Sequence, residues 1–392
     1  MKIAYICNDP GIPVFGCKGS SIHVQSVTRT LVRQGHEVHL FTSCLGTSPP
    51  TDLRMVQIHK LPEHPKSDDC NAREQALFLS NSKLFSILEA EGPFDLVYER
   101  YSLWSFAGMD YARTNSIPGV LEVNAPLIEE QIKYRTLVNR ELARQAAEKV
   151  FAAATTLIAV SHAVGEYLEN YPMAQGRIHV VPNGVDPKRF STDVKPSLVR
   201  KPEEFIIGFV GTMKPWHDLS SLVDAFAKLY CEDSNTRLLM VGDGKGLKKV
   251  IDNLSTHNCS QAVHFTGAVP PEQIPGLLAT IDVAVAPYSL NDQCYFSPLK
   301  VYEYMAAGLP VVASRIGQLA ELIQDGVNGL LYPPDDSDCL AEKLHLLKSD
   351  SELRDSLGLA AKECIDKYYT WDIVVRRILN FSGFPEAELI IK

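Results

Sequence analysis

YFSPLKVYEYMAAGLPVVASRIGQLAELI, residues Tyr295–Ile323, is the stretch on which the reading of this chain turns. Its first half predicts a short helix with both ends marked. Ser297 suits the N-cap, and Pro298 the first helical position, where a missing N–H costs nothing. Gly308 suits the left-handed turn after the last helical residue, and Pro310 blocks continuation. Leu309–Ser314 is an apolar, β-branched run of the kind that forms a buried parallel strand. Gly317 and Glu321 open the next helix. A helix starting with Ser297 and Lys300 favours an anion, because its first N–H groups lack partners and its dipole is positive there. Glu303, one turn on, does not serve an anion; a carboxylate there suits a neutral polyol such as the two hydroxyls of a ribose. The pairing points to a nucleotide held by its diphosphate and its sugar. The same residues also fit an ordinary capped helix with a solvated Lys and Glu.

The chain of 392 residues is long for one core and predicts two domains. Hydrophobic residues make up 45% and charged residues 22%, the balance of a globular protein in water. The net charge of −9 is uneven: 17 Lys+Arg against 19 Asp+Glu up to Val185, and 21 against 28 beyond it. Neither part has the basic excess of a nucleic-acid binder. No apolar run approaches the ~18 residues of a membrane span. The opening MKIAYICNDPG reads as a strand, its apolar segment too brief for a signal peptide. Nine scattered cysteines (Cys7, Cys17, Cys44, Cys70, Cys231, Cys259, Cys294, Cys339, Cys364) with no C-x-x-C argue against a disulfide framework and a zinc site. They favour a reducing cytoplasm. Cys17 and Cys294 lie near the candidate site as packing residues.

Lys2–Cys7 and Glu37–Thr42 read as strands around a helix at Ile22–Gln34, a βαβ unit. The Gly/Pro-rich loop Asn8–Ser21 lies at the carboxyl end of the first strand, where open α/β sheets bind ligands. Its glycines do not fit G-x-G-x-x-G, although Gly19-Ser20-Ser21 before a helix can bring N–H groups to a phosphate or a sugar. A strand at Arg54–Leu61, a polar loop at Pro62–Asn71 and a helix at Ala72–Glu91 follow. The strand Asp95–Tyr98 runs into Glu99-Arg100-Tyr101, and Pro118–Val123 ends in Glu122-Val123-Asn124. Charged and amide groups at strand ends suit a site, though Glu99 and Arg100 can also pair with each other. A long charged helix is expected over Leu127–Ala154, a strand at Thr156–Val160, a helix Ala163–Glu169 capped by Ser161, and a strand at Ile178–Val181. Asp186–Glu204 is polar and aperiodic, and reads as a linker.

A second α/β series begins at Phe205. Strands at Ile206–Val210, Arg237–Val241, Val263–Thr266 and Val283–Ala286 each end in Gly or Pro with polar residues before a helix. The first two lead into Gly211-Thr212-Met213-Lys214-Pro215-Trp216-His217-Asp218 and Gly242-Asp243-Gly244-Lys245-Gly246. That repetition predicts a doubly wound parallel sheet with its ligand edge at the strand carboxyl ends. The last helix, Trp371–Phe381 within about 372–392, is expected to pack back on the first domain.

These segments in this order resemble the retaining GT-B glycosyltransferases of family 4 (glycosyl transferases group 1). The resemblance rests on GHEVHLFT, AVSHAVGEYL, VVPNGVDPKRF, IGFVGTMKPWHDLSSLVDAF, LLMVGDG, VHFTGAVPPEQIPGLLATIDVAVAPY and VYEYMAAGLPVVASRIGQLAELIQDGVNGLLYPPDD. It implies an α/β fold of two Rossmann-like doubly wound parallel-sheet domains facing a central cleft, residues 1–186 for the acceptor and 205–371 for the donor, joined by 187–204. It also implies transfer of a sugar, most simply a hexose, from a nucleotide-diphosphate sugar with retained anomeric configuration and without an essential metal or cofactor. Glu303 matches the glutamate that binds the ribose. Gly19 and Ser20 match the glycine loop that approaches the donor phosphate. Gly317 and Glu321 match structural positions.

Departures from the family pattern define what is particular to this chain. A glutamate that reads donor-sugar hydroxyls falls on Tyr295. The Arg and Lys that hold the diphosphate fall on Thr212 and His217. The active-site histidine falls on Asn124. A diphosphate still needs cationic compensation, and Lys214, Lys300 and Arg100 are the cations at hand, Lys300 foremost. Gly211, Gly242 and Ser297 complete the expected donor site. Asn124 can hydrogen-bond sugar hydroxyls but cannot exchange protons; Glu122 or Glu99 is then the candidate base, or the leaving diphosphate takes the proton itself. The expected function is a cytoplasmic glycosyltransferase acting on an acceptor hydroxyl, with a UDP-sugar slightly favoured over a GDP-sugar. The expected partners are that nucleotide sugar and an acceptor, without nucleic acid or a membrane span. The alternatives are a nucleotide-sugar epimerase or hydrolase on the same fold, and a non-catalytic nucleotide-sugar-binding partner.

Overall fold

The computed structural model describes residues 1–62, 68–191, 193–214, 216–290 and 295–385. Expectations that fall on Cys294, Pro215, the middle of the Pro62–Asn71 loop and the chain beyond 385 lie outside the described residues. The chain divides into two compact units. The first comprises Met1–Asn183, Tyr295–Ser297 and the segment from Trp371; the second comprises Gly184–Cys294 and Pro298–Thr370.

The first unit is built on β1 (Lys2–Cys7), β2 (Glu37–Thr42), β3 (Gln57–Lys60), β4 (Leu96–Arg100), β5 (Gly119–Val123), β6 (Thr156–Ala159) and β7 (Ile178–Val180). They form a parallel sheet in the order β3-β2-β1-β4-β5-β6-β7. The second contains β8 (Phe205–Val210), β9 (Thr236–Val241), β10 (Val263–Gly267), β11 (Val283–Ala286), β12 (Val311–Ser314) and β13 (Leu330–Tyr332). Its order, also parallel, is β10-β9-β8-β11-β12-β13. The strands are short apolar runs buried on both faces, as parallel sheets covered by helices require. Chain direction across each sheet reverses beside its first strand, at β1/β4 and at β8/β11. That switch point opens a crevice at the strand carboxyl ends, where ligands bind in such sheets.

Several local expectations are corrected by specific contacts. The helix foreseen over Ala72–Glu91 is two, Cys70–Leu79 and Asn81–Glu91. Asn81 explains the break: its amide donates to the Phe78 and Trp104 carbonyls, and its Oδ1 accepts from the N–H groups of Phe106 and Ala107. Those last two bonds start the helix Ala107–Thr114, which the sequence reading missed. The stretch Leu127–Ala154 is also two helices, Leu127–Tyr134 and Arg140–Ala153. The buried Glu74 carboxylate accepts from the N–H groups of Val138 and Asn139 between them, satisfying donors that helix continuation would have used. Arg54–Leu61 yields only the short β3, after a 3-10 turn at Thr51–Leu53.

The segment expected as a linker packs as part of the second unit. Pro187–Phe190 is a 3-10 turn, the Ser197 N–H donates to Gly276 O at 2.8 Å, and Arg200 pairs with Asp282 at 2.9 Å. The final helix, Trp371–Phe381, belongs to the first unit: Arg33 and Asp372 are 2.7 Å apart, and the Trp371 ring meets His23 edge-on at 5.1 Å. Helices Ser337–Ser349 and Ser351–Tyr368, not foreseen, pack beside the second sheet. Among the described residues no helix is long and apolar enough to cross a membrane.

Asn81→Ala leaves the part-buried Phe106 N–H and the buried Ala107 N–H without their acceptor. A loss of about 1–3 kcal/mol is expected, read as a lower urea midpoint with an unchanged denaturant slope.

Candidate functional site

In the second unit the opening stretch forms the helix Leu299–Ala306, with Pro298 and not Ser297 as its N-cap residue. The Ser297 hydroxyl is engaged otherwise: its Oγ accepts from the Asn183 N–H at 3.0 Å, and the Asn183 amide donates to Ser297 O at 2.9 Å. Gly308 adopts φ +72, the left-handed turn expected of it. Ser297 and Tyr295 group with the first unit, where Ser161 Oγ donates to Tyr295 O, whereas the other donor candidates from Gly211 onward lie in the second.

Lys300, in the first turn of this helix, carries its ammonium under the β8 loop. Its Nζ is 4.4 Å from the Phe209 ring centroid, 4.9 Å from that of Tyr288, and 2.8 Å from His217 Nε2. An ammonium only donates, so Nε2 accepts and the His217 ring proton sits on Nδ1, consistent with its hydrogen bond to the Thr212 backbone. The Lys214 N–H, 3.4 Å from Nδ1, is then only an approach. Burial first, then the Lys300 charge, pushes the His217 pKa down to about 2, so the ring is neutral. Burial likewise pulls Lys300 well below the ordinary lysine value. Among the described residues no carboxylate pairs with it.

The loops around this ammonium are held close by glycine. Gly211 has φ +147, and a Cβ there would lie 3.5 Å from Lys300 Nζ. Gly242, at φ +123, runs so near that a Cβ would sit 2.2 Å from Gly211 O. Lys214 lies on the same loop, its Nζ 5.5 Å from the Trp216 ring. The β8/β11 switch point thus gathers a half-buried ammonium, a helix start and two glycine loops.

Glu303, one turn beyond Lys300, is met by Arg189, which no part of the sequence reading singled out. Arg189 Nη1 is 3.1 Å from Glu303 Oε1, and its Nη2 donates to Pro271 O at 2.8 Å. Burial raises the Glu303 pKa, and the Arg189 charge and hydrogen bond oppose that rise. Arg189 was hidden because it lies in the polar stretch read as a linker.

In the first unit, strand periodicity separates Glu99 from Arg100. Their side chains leave opposite faces of β4, so they do not pair with each other. Glu99 is fully buried beside Gly108 and Ile6, accepts from Ser105 Oγ, and is pushed up to about 7 by burial. Arg100 lies opposite Glu122 in the β4/β5 register, on the face covered by the helix Gly19–Arg33. From that helix His23 joins them, with Nδ1 accepting from Arg100 Nη1 at 3.3 Å and Nε2 2.7 Å from Glu122 Oε1. A carboxylate oxygen only accepts, so His23 donates to Glu122 through Nε2. Asn124 donates to the same Glu122 oxygen at 3.0 Å, and the Tyr98 hydroxyl donates to the other.

Burial would raise Glu122, but His23, Arg100 and Tyr98 together outweigh it and bring it down to about 2. Glu122 is thus a fixed charge, too acidic to act as a base, and Glu99 is sealed in the core. Neither fits the role of acceptor base that the sequence had offered them. His23 was legible in principle, since it shares a helical face with Val24, Val27 and Leu31. Gly19 and Ser20, expected in a loop, are the first residues of the helix Gly19–Arg33, whose first turn holds no acidic residue.

A separate group joins His39 on β2, His59 on β3 and Glu91 at the end of the helix Asn81–Glu91. The His39 and His59 rings are 9° from parallel with Nδ1 and Nε2 3.0 Å apart. With centroids 5.1 Å apart, the two nitrogens meet head-on and share a proton; they do not converge on an ion.

Two family models match the chain: Glycosyltransferase Family 4 over residues 18–189, and Glycosyl transferases group 1 over residues 190–364. The MMP alpha-(1->4)-mannosyltransferase of Mycolicibacterium hassiacum is 28% identical, over 91% of this chain and 92% of its own. Among solved structures, the sucrose-phosphate synthase of Thermosynechococcus elongatus superposes with a TM-score of 0.75 at 19% identity, over 97% of this chain and 98% of that one. Anabaena HepE in complex with UDP and glucose does so with 0.73 at 19% identity, over the same shares. At these identities the two structures speak for the fold.

The Glu122 network has a pH signature. An unfolded glutamate titrates near ~4.3, and the folded one near about 2. Its contribution is therefore complete above ~4.3 and lost as pH falls from there through the folded value. Urea midpoints of the wild type should fall across that window, and Glu122→Gln should flatten the fall; equal slopes contradict the network.

Proposed function

The chain belongs to the glycosyl transferases of group 1 (family 4) and is a GT-B glycosyltransferase, and from that premise we propose that it moves a sugar from a nucleotide-diphosphate sugar to an acceptor hydroxyl with retention of configuration. The observation that carries this reading is the Lys300 ammonium, half-buried at a helix start with no carboxylate beside it among the described residues. Taking a cation out of water without a counter-charge is costly, and an anionic ligand offsets that cost. The diphosphate supplies the charge, and Glu303 supplies acceptors for two ribose hydroxyls.

In the proposed reaction the bond between the sugar C1 and the diphosphate oxygen breaks, and one from C1 to the acceptor oxygen forms on the same face. The acceptor proton passes to the leaving diphosphate. This step asks of the protein chiefly that it hold negative charge on the leaving group, which is the capacity of Lys300, the helix start and Lys214. It asks for no strong base, in keeping with Glu122 and Glu99. Gly211, Thr212, Gly242 and His217 shape the recess, and Asn124 and Arg100 offer hydrogen bonds on the acceptor side. UDP is the preferred carrier over GDP, as the UDP held by HepE suggests. No metal or cofactor is required, and the reducing environment suggested by the scattered cysteines fits the cytoplasm.

Lys300→Ala should lower UDP release from the cognate UDP-sugar and acceptor by about 100-fold or more, in the range for removing one oxyanion donor, with an unchanged circular-dichroism spectrum. Unchanged turnover contradicts the role. Wild-type turnover should persist in EDTA and require the acceptor; loss in EDTA contradicts metal independence, and full turnover without acceptor indicates a hydrolase.

A further inference from the structure

The ion pair between Arg189 and Glu303 is not explained by holding the fold together alone. The guanidinium is anchored at its far nitrogen, where Nη2 donates to Pro271 O at 2.8 Å. It lies 5.1 Å from the Phe190 ring centroid, which further restricts it. Its remaining arm reaches one oxygen of Glu303 and leaves the other: Nη1 is 3.1 Å from Oε1, and among the described residues Oε2 accepts no hydrogen bond. The Glu303 side chain retains 19% exposure, so it is not sealed in the core. One oxygen is clamped and one is offered, on the helix that begins with the Lys300 ammonium.

We propose that Arg189 is a positioning residue of the nucleotide site: tethered to Pro271, it fixes Glu303 through Oε1 so that Oε2 receives the ribose hydroxyls. This inference rests on the proposed role of Glu303 and deepens it. An ionised carboxylate only accepts and can take both hydroxyl protons of a vicinal diol, whereas a protonated one spends an oxygen as a donor. Burial works against the ionised form of Glu303, and the Arg189 charge is what opposes it. Among the described residues Arg189 is the charged side chain that faces Glu303, and Tyr304, on the same helix, is the titratable neighbour, held neutral by burial. Removing the guanidinium therefore raises Glu303 further and makes ribose recognition depend on pH.

The test compares UDP with 2′,3′-dideoxy-UDP by calorimetry at pH 7.0 and pH 9.0, using the full chain. The ratio of the two dissociation constants reports the ribose hydroxyls alone, because phosphate titration cancels. In the wild type the ratio is expected to be about ten-fold, one good hydrogen-bonded contact's worth, at both pH values. In Arg189→Met it should fall toward one at pH 7.0 and recover at pH 9.0, while Arg189→Lys keeps the wild-type ratio. Unaltered dideoxy-UDP affinity reports that the variant is folded; should Arg189→Met not fold, Arg189→Gln carries the same expectation. A variant ratio equal to the wild type at pH 7.0, or one that stays lost at pH 9.0, overturns the inference while leaving Glu303 as the ribose ligand. A wild-type ratio of one removes the ribose role of Glu303, and this inference with it.

Discussion

A cation half-buried at a helix start, with a neutral imidazole and two aromatic faces for company, is the constraint on which the second unit depends. Lys300 could have been neutralised by a carboxylate from any of the loops that surround it. Instead the contacts are His217, Phe209 and Tyr288, which orient the ammonium without cancelling its charge. Around it the backbone is drawn in tightly, and Gly242 is there because a side chain would collide with Gly211 O.

The first unit uses the same parallel topology with the opposite electrostatic solution. There Glu122 is buried, but His23, Arg100, Asn124 and Tyr98 saturate it. Its charge is settled within the protein and leaves no appetite for a proton. One unit thus holds a carboxylate saturated from within, and the other holds a cation with no carboxylate beside it among the described residues. The division matches a reaction in which the leaving group, and not a protein base, carries the chemistry.

The parallel sheets and the two-unit plan were legible because parallel strands are short apolar runs closed by Gly and Pro, a local signal. The helix breaks at Ser80 and before Arg140 were not, because each is made by one distant side chain, Asn81 reaching Trp104 and Glu74 reaching Val138. Lys300 and Glu303 were legible from the helix that carries them. The loss of Ser297 as a cap was not, because Asn183, more than a hundred residues away, takes its hydroxyl. Arg189 and His23 escaped for a shared reason: each acts through a partner in another element, Glu303 and Glu122.

The central claim is that the uncompensated Lys300 ammonium receives the diphosphate while Glu303 receives the ribose. A crystal structure of the protein with UDP tests it most directly. The account predicts a phosphate oxygen within hydrogen-bond distance of Lys300 Nζ (~2.7–2.9 Å) and a ribose hydroxyl on Glu303 Oε2. A nucleotide bound with its phosphates away from Lys300, or with its ribose away from Glu303, contradicts it.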